Sequence, residues 1–243
     1  MDQYKIESYF NEILHPEDFE DYCHNGIQIE GTSNIKKVAV GVSFNEAFVD
    51  KAVEENVDLL LVHHGIFGKD FFSLKGYFKN RVKKVLDLGM TLMGYHLPLD
   101  AHEKFGNNAT IIKKLGLEPA ERIEVGYTAG YSSPVTFEKF FNDLQKVIQN
   151  EQYKVYKNTD TVEKIFVLSG GGSELLEKLE GKVDTFVTGE VKEQIRDLAK
   201  ETNINFINAG HYATETFGVK NLGKLLEEQF GLETIFIDVF NEI

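Results

Sequence analysis

The sequence has a single cysteine, few basic residues and no long apolar run, and each of these shortages excludes a class of protein. Cys23 alone can form neither a disulfide framework nor a thiolate zinc site, which fits a reducing, intracellular setting. Lys and Arg number 26 against 39 Asp and Glu, so the net charge is −13 and duplex nucleic acid is disfavoured as a partner. No run of 18 apolar residues occurs, and the amino terminus has no positive leader followed by an apolar stretch. We therefore expect a soluble cytoplasmic protein without a membrane partner.

Short apolar segments alternate with amphipathic segments along the 243 residues, which is typical of βαβ units. Strands are predicted at 36–42, 57–62, 90–95, 164–168, 183–188 and 204–207. The Gly- and Tyr-rich passage 126–131 is the best candidate for a boundary between lobes. We predict an α/β fold of two similar lobes, 1–124 and 125–243, with mostly parallel sheets flanked by helices.

The most informative stretch is Asp58 to Lys69, where an apolar run ends in two adjacent histidines. Leu59 to Val62 read as a strand that is buried on both faces. His63 and His64 then lie at its carboxyl end, where open α/β sheets place ligand sites. Neighbouring strand residues point to opposite faces, so the pair would suit two ions better than one. One histidine in the core and one capping a loop is the competing interpretation.

The third predicted strand also ends in polar residues, His96-Leu97-Pro98-Leu99-Asp100. Pro98 makes a helix improbable here, so we predict an extended segment that presents His96 and Asp100 on one face. Before the first strand, Asn25 to Gln28 is predicted to be a turn within a loop.

The second half contributes two further elements. Ser169 to Ser173 form a glycine loop between a strand and a helix. The loop lacks the spacing of a nucleotide-binding motif, so two interpretations remain: it binds an anion through backbone N–H groups, or it is a plain tight turn. His211 and Glu215 lie one turn apart on a helix that a strand precedes, and a separate helix is predicted from Val219 to Phe230. Such a pair is a good ligand set, but taken alone it is a weak signal, since any helix can hold such a pair as a surface contact.

Phenylalanines follow the paired histidines and have two interpretations. They either cover a pocket or belong to the core, and the core is favoured because aromatic rings bury so much apolar area. The residues concerned are Phe67, Phe71, Phe72 and Phe78.

Five of the seven histidines lie in three short stretches at predicted strand ends, beside Asp100 and Glu215. Histidine and carboxylate ligands without sulfur suit zinc, iron, manganese, cobalt or nickel. A carboxylate can also bridge two such ions. The grouping therefore favours a metal site over isolated structural histidines.

The sequence contains, in chain order, the motifs VHHGIFGK, GYHLPLDAH, NN, SGGG, VDTFVTGEVKEQ and AGHYATE. In these motifs it resembles the dinuclear-metal-centre family known as GTP cyclohydrolase 1 type 2 homologs, or NGG-interacting-factor-3-like proteins. The similarity runs from about Asn25 to the carboxyl terminus and is to the short form without an inserted domain. The resemblance implies two divalent ions in the cleft between the lobes, with residues 203–243 completing the site, and a toroidal homohexamer. The ligands that it implies are His63, His64, Asp100, His211 and Glu215, with Glu215 touching both ions. His96 matches a position that faces the site.

Three functions are compatible with these features. The first is a metal-dependent hydrolase acting on a nucleotide or another anionic substrate, in which Glu190 or His96 moves protons. The second is a metal-handling or chaperone protein whose ions are cargo. The third is a ring-shaped scaffold for nucleic acid or protein, which the net charge of −13 disfavours.

Overall fold

The computed structural model describes residues 1–68 and 73–243, which form two compact units. Unit 1 comprises Met1–Leu99 and Gly218–Val239, and unit 2 comprises Asp100–Phe217 and Phe240–Ile243. The chain thus changes units after residues 99, 217 and 239, whereas the sequence predicted one boundary after residue 124. The difference arises because the last strand returns to the first sheet. It also places Asp100 in unit 2.

Unit 1 contains a five-stranded sheet that is parallel except at one edge. Its strands are β1 (Gly26–Ile29), β2 (Lys37–Ser43), β3 (Leu59–His64), β4 (Thr91–Gly94) and β11 (Glu233–Phe236). Their order is β1-β4-β3-β2-β11, and only β1 is antiparallel to its neighbour. Residues 59–63 are all buried, so β3 is the central strand that its apolar run predicted.

Helices of unit 1 pack their apolar faces against this sheet. They are α1 (Gln3–Leu14), α2 (Glu46–Glu54) and α3 (Gly76–Asp87). A 3-10 turn at Pro16–Asp18 follows α1 and has no buried residue. The side chains of Asp2 and Asn45 cap α1 and α2 by accepting bonds from backbone N–H groups. A short helix, α4 (Leu97–Asp100), then leads into unit 2.

Unit 2 contains a six-stranded mixed sheet of order β5-β6-β8-β9-β10-β7. The strands are β5 (Arg122–Ile123), β6 (Gly126–Thr136), β7 (Lys154–Tyr156), β8 (Thr161–Leu168), β9 (Thr185–Thr188) and β10 (Asn205–Asn208). Strands β8, β9 and β10 are parallel, and the other pairs are antiparallel. The carboxyl ends of these three parallel strands therefore gather at one edge, where ligand sites form in such sheets.

Both faces of the unit 2 sheet are covered. Ile165, Val167 and Val187 face one apolar cluster, while Phe166 and Phe186 face another, as the two-residue period of a strand requires. The helices are α5 (Asn107–Lys114), α6 (Phe137–Val147), α7 (Ile195–Glu201) and a 3-10 helix at Ser173–Leu179. A further helix, α8 (His211–Phe230), begins in unit 2 and continues into unit 1 after residue 217. The predicted α/β class, with sheets flanked by helices, is confirmed.

Three local predictions are wrong. The segment after β4 is helical rather than extended, because Pro98 occupies the first turn of α4, where a missing N–H costs no intrahelical bond. Residues 26–29 form strand β1 rather than a loop, since β4 pairs with them. The two helices predicted around Val219 are one helix, α8. Across the described residues, every helix is too short or too polar to span a lipid bilayer.

Candidate metal centre

Three histidines converge in unit 1. His63 and His64 end β3, and His96 follows the neighbouring parallel strand β4, so all three lie at the carboxyl edge of the sheet. One ring nitrogen from each lies within 4.8 Å of the other two. His63 and His96 are buried and His64 is half-buried. His96 is thus a nearby partner of the paired histidines.

The Nδ1 atoms of His63 and His64 each have a hydrogen-bond partner within unit 1. His63 Nδ1 lies 2.9 Å from the Tyr95 carbonyl oxygen, and His64 Nδ1 lies 3.2 Å from Ser43 Oγ. A carbonyl oxygen can only accept, so the neutral His63 ring carries its proton on Nδ1 and a lone pair on Nε2. Histidine ligands are usually oriented in this way by a partner behind the ring.

Unit 2 brings together Asp100, His211 and Glu215. His211 opens α8 directly after β10, and Glu215 lies one turn later, with its Oε2 3.1 Å from His211 Nε2. A Glu215 oxygen also lies within 4.8 Å of an Asp100 oxygen. Asp100 is 4% exposed and Glu215 is 2% exposed. Two carboxylates this deeply buried need a compensating positive charge.

His211 supplies that charge in the metal-free protein. Burial lowers the pKa of its ring, but the hydrogen bond and attraction of Glu215, followed by those of Glu190, outweigh burial and raise the pKa to about 9. The ring is therefore protonated at neutral pH. A divalent cation bound by Glu215 would replace this proton as the balancing charge.

Asp100 is held in position by neighbours from its own unit. Its Oδ1 accepts hydrogen bonds from Asn107 Nδ2 at 2.8 Å and from Ser169 Oγ at 2.9 Å. Asn107 begins α5, and Ser169 begins the glycine loop after β8. One carboxylate oxygen is thereby fixed, which orients the other.

The glycine loop approaches the carboxylates closely. Gly170 has φ +64°, and a Cβ added there would lie 2.2 Å from Glu215 Oε1. A Cβ on Gly171 would lie 3.0 Å from Glu190 Oε2. Two carboxylates beside the loop disfavour a bound anion, and the Gly170 N–H already donates to Thr214 Oγ1 at 3.0 Å. These contacts favour the tight-turn alternative, with the glycines making room for Glu215 and Glu190.

Both residues predicted to move protons belong to a carboxylate–histidine contact. Glu190 Oε1 lies 2.6 Å from His211 Nδ1, so this carboxylate is behind a predicted metal ligand. His96 Nδ1 lies 2.9 Å from Asp21 Oδ1. In each unit, a carboxylate therefore lies beside the Nδ1 atom of a site histidine.

Asp21 is the residue that the sequence analysis missed. Burial raises the pKa of its carboxyl, but hydrogen bonds from His96, the Cys23 backbone and Asn25 outweigh burial and lower the pKa to about 2. It is separated from His96 by 75 positions, so no local spacing links the two. The only signal was its place in a loop with the Asn25-Gly26 turn.

Aromatic rings border the histidines of unit 1. The Phe67 ring centroid lies 6.0 Å from that of His64, and the Tyr22 centroid lies 5.3 Å from that of His96. Phe78 packs against the apolar core, as the favoured interpretation predicted. Phe71 and Phe72 lie outside the described residues.

The donor chemistry fits divalent transition metals. The described residues include groups of histidines and carboxylates that could bind metal ions, and none of these groups includes sulfur. Cys23 is buried, and its pKa is raised to about 11, so its thiol stays protonated and is a poor ligand.

The sequence matches the family model described as Duf34/NIF3 (NGG1p interacting factor 3) over residues 1–242. It is 35% identical over 249 residues to a protein of Haemophilus influenzae and 38% identical over 245 residues to one of Yersinia pestis, and each alignment covers 99% of both chains. Both relatives are named GTP cyclohydrolase 1 type 2 homolog.

A solved structure shows the same fold. The crystal structure of the protein TTHA1606 from Thermus thermophilus superposes with a TM-score of 0.94 at 36% identity and covers 100% of both chains.

Proposed function

Because the chain belongs to the Duf34/NIF3 family, we propose that it is a dinuclear metal-dependent hydrolase acting on a nucleotide or another anionic substrate. The observation that carries the proposal is that both units present nitrogen and oxygen donors that are oriented by partners behind them. A surface cluster formed by chance would not need such support.

The proposed ligands are the five that the resemblance implies. His63 and His64 come from unit 1, and Asp100, His211 and Glu215 come from unit 2. Their assembly into a single centre holding two ions stays a prediction, as does the closed homohexamer. Zinc, iron, manganese, cobalt and nickel all suit these donors.

The chain's own residues supply the proton transfers. Bound divalent ions would polarise the scissile group and make water acidic enough to react near neutral pH. His96 would accept a proton from water, since one of its ring nitrogens is grouped with those of His63 and His64. Glu190, at 44% side-chain exposure, could exchange protons with solvent while it orients His211.

The proposed substrate is anionic despite the net charge of −13. Two divalent ions bring four positive charges against the two carboxylates of the ligand set, so the site would be locally positive. A guanine nucleotide is the first candidate, because the name of the relatives refers to GTP.

We expect about two divalent ions per chain, because five ligands plus water fill two sites of four to six positions. Elemental analysis of protein purified without chelator or added metal measures this. The reconstituted protein is then assayed on GTP and on simple phosphoesters. Two ions without turnover on any of these would overturn the hydrolase and favour the metal-handling function.

Glu190→Gln should slow turnover by roughly 10²–10⁴-fold at saturating metal, if Glu190 moves protons. Because Glu190 also orients His211, the variant should need a higher metal concentration, by about 10–100-fold, to fill both sites. Glu193→Gln, an exposed residue on the same segment, is the matched control and should change neither quantity. Unchanged turnover in Glu190→Gln would remove its proton-transfer role.

A further inference from the structure

Asp21 is a buried carboxylate of unit 1 whose two oxygens contact four hydrogen-bond donors. Its Oδ1 lies 2.9 Å from His96 Nδ1 and accepts the Cys23 backbone N–H at 2.9 Å. Its Oδ2 accepts the Leu97 backbone N–H at 3.0 Å and the Asn25 Nδ2 group at 3.1 Å. The side chain is only 2% exposed. Four donors therefore fix the carboxylate in place before any ligand binds.

These contacts determine the state of the His96 ring. An ionised carboxylate only accepts, so the neutral ring carries its proton on Nδ1 and a lone pair on Nε2. One ring nitrogen of His96 lies within 4.8 Å of ring nitrogens of His63 and His64, and because Asp21 occupies Nδ1, we assign Nε2 as the atom available to a ligand there. Rings of Tyr22 and Phe67, with centroids 5.3 and 5.7 Å from that of His96, flank it and oppose a flip.

We propose that Asp21 is a positioning residue of the hydrolytic site, which holds His96 in the tautomer whose Nε2 accepts the proton of the attacking water. The inference rests on the proposed function, because it needs a hydrolytic step. The O–H bond of water breaks, a bond from Nε2 to the proton forms, the water oxygen bonds to the scissile atom, and the leaving group departs with the electron pair of the broken bond. The Nδ1 proton stays between His96 and Asp21, whose negative charge stabilises the ring cation.

The competing interpretation is that Asp21 only orders its loop. Asn25 provides the matched control, because it supports the same loop without touching the His96 ring. Its Nδ2 donates to Asp21, and its Oδ1 accepts the backbone N–H of His96 at 2.7 Å. Asn25→Ala should therefore loosen the loop as much as a change at Asp21 does, and should leave the ring partner in place.

The first test is the tautomer in metal-free protein labelled with ¹⁵N-histidine. His96→Gln identifies the His96 signals, and the pH is raised until the ring nitrogen shifts stop changing. Wild type and Asn25→Ala should show the proton on Nδ1. Asp21→Ala should show a mixture or the Nε2 form, while Asp21→Asn, which keeps one oxygen acceptor, should retain part of the Nδ1 form. A wild-type ring with its proton on Nε2 would overturn the proposal without any variant.

The second test is turnover of bis(4-nitrophenyl) phosphate by the metal-reconstituted full chain. Asp21→Ala and His96→Gln should each lose roughly 10²–10⁴-fold, and the double variant should lose no more than the larger single loss, because both act through one proton transfer. Metal content should stay at the wild-type level, and Asn25→Ala should lose less than tenfold. Additive losses, or an equal loss in Asn25→Ala, would overturn the positioning role. If wild type itself shows no turnover on this probe or on GTP, the proposed function fails, while the tautomer measurement still decides whether Asp21 orients His96.

Discussion

Glu215→Gln should lose at least one of the two expected metal ions per chain. Glu215 is 2% exposed, and its oxygens lie within 4.8 Å of donor atoms on both Asp100 and His211. If it bridges two cations, the neutral amide removes the negative charge that screens their repulsion. Inductively coupled plasma mass spectrometry after desalting gives the stoichiometry directly.

Two variants make this result specific. Asp100→Asn should weaken one site and leave the other largely filled, because Asp100 is proposed as a ligand to one ion only. Glu228→Gln changes an exposed glutamate on the same helix, α8, and should leave the metal content as it is. Two ions retained in Glu215→Gln would end the bridging role.

Gly170→Ala should also empty the site while it costs little stability. The added Cβ would lie 2.2 Å from Glu215 Oε1 and 3.2 Å from His211 Nε2, so the Glu215 carboxylate must move. That atom is the end of a flexible side chain, and the surrounding backbone can therefore stay in place. The expected result is a loss of one or both ions, with destabilisation limited to the strain of Ala at φ +64°, roughly 1–2 kcal/mol.

Gly181→Ala is the control that separates strain from displacement. Gly181 has φ +71°, and no heavy atom lies within 4 Å of an added Cβ. This variant should show the same loss of stability in urea unfolding and the full metal content. Equal metal content in the two variants would contradict the role assigned to Gly170.

Local sequence was sufficient to predict a segment whose own residues indicate both its secondary structure and its burial. The run Leu59 to Val62 is a strand, its side chains are fully buried, and the histidines follow at its carboxyl end. Local sequence was insufficient where the structure of a segment depends on a partner that is distant along the chain. Gly26 to Ile29 form a strand only because β4 pairs with them, with a bulge between Ile27 and Ile29. The unit limits likewise depend on β11 pairing with β2, which no local pattern indicates.

The candidate ligands were easier to find than their supports. Histidines and carboxylates at strand ends stand out by type, and the resemblance identified five of them. The residues behind them are chemically ordinary. Ser169 reaches Asp100 across 69 positions, and Asp21 reaches His96 across 75, so only the folded chain connects them.

The return of β11 to β2 also sets the order in which the protein can fold during synthesis. Residues 100–217 of unit 2 are continuous, so most of that unit can fold while the ribosome is still translating the carboxyl-terminal segment. The first sheet must wait, because its edge strand, Glu233–Phe236, is among the last segments to emerge. Until then β2, with buried residues at Val38 to Val42, presents an unpaired parallel edge. A nascent chain stalled before residue 233 would therefore carry a folded second unit and a first unit open to chaperones.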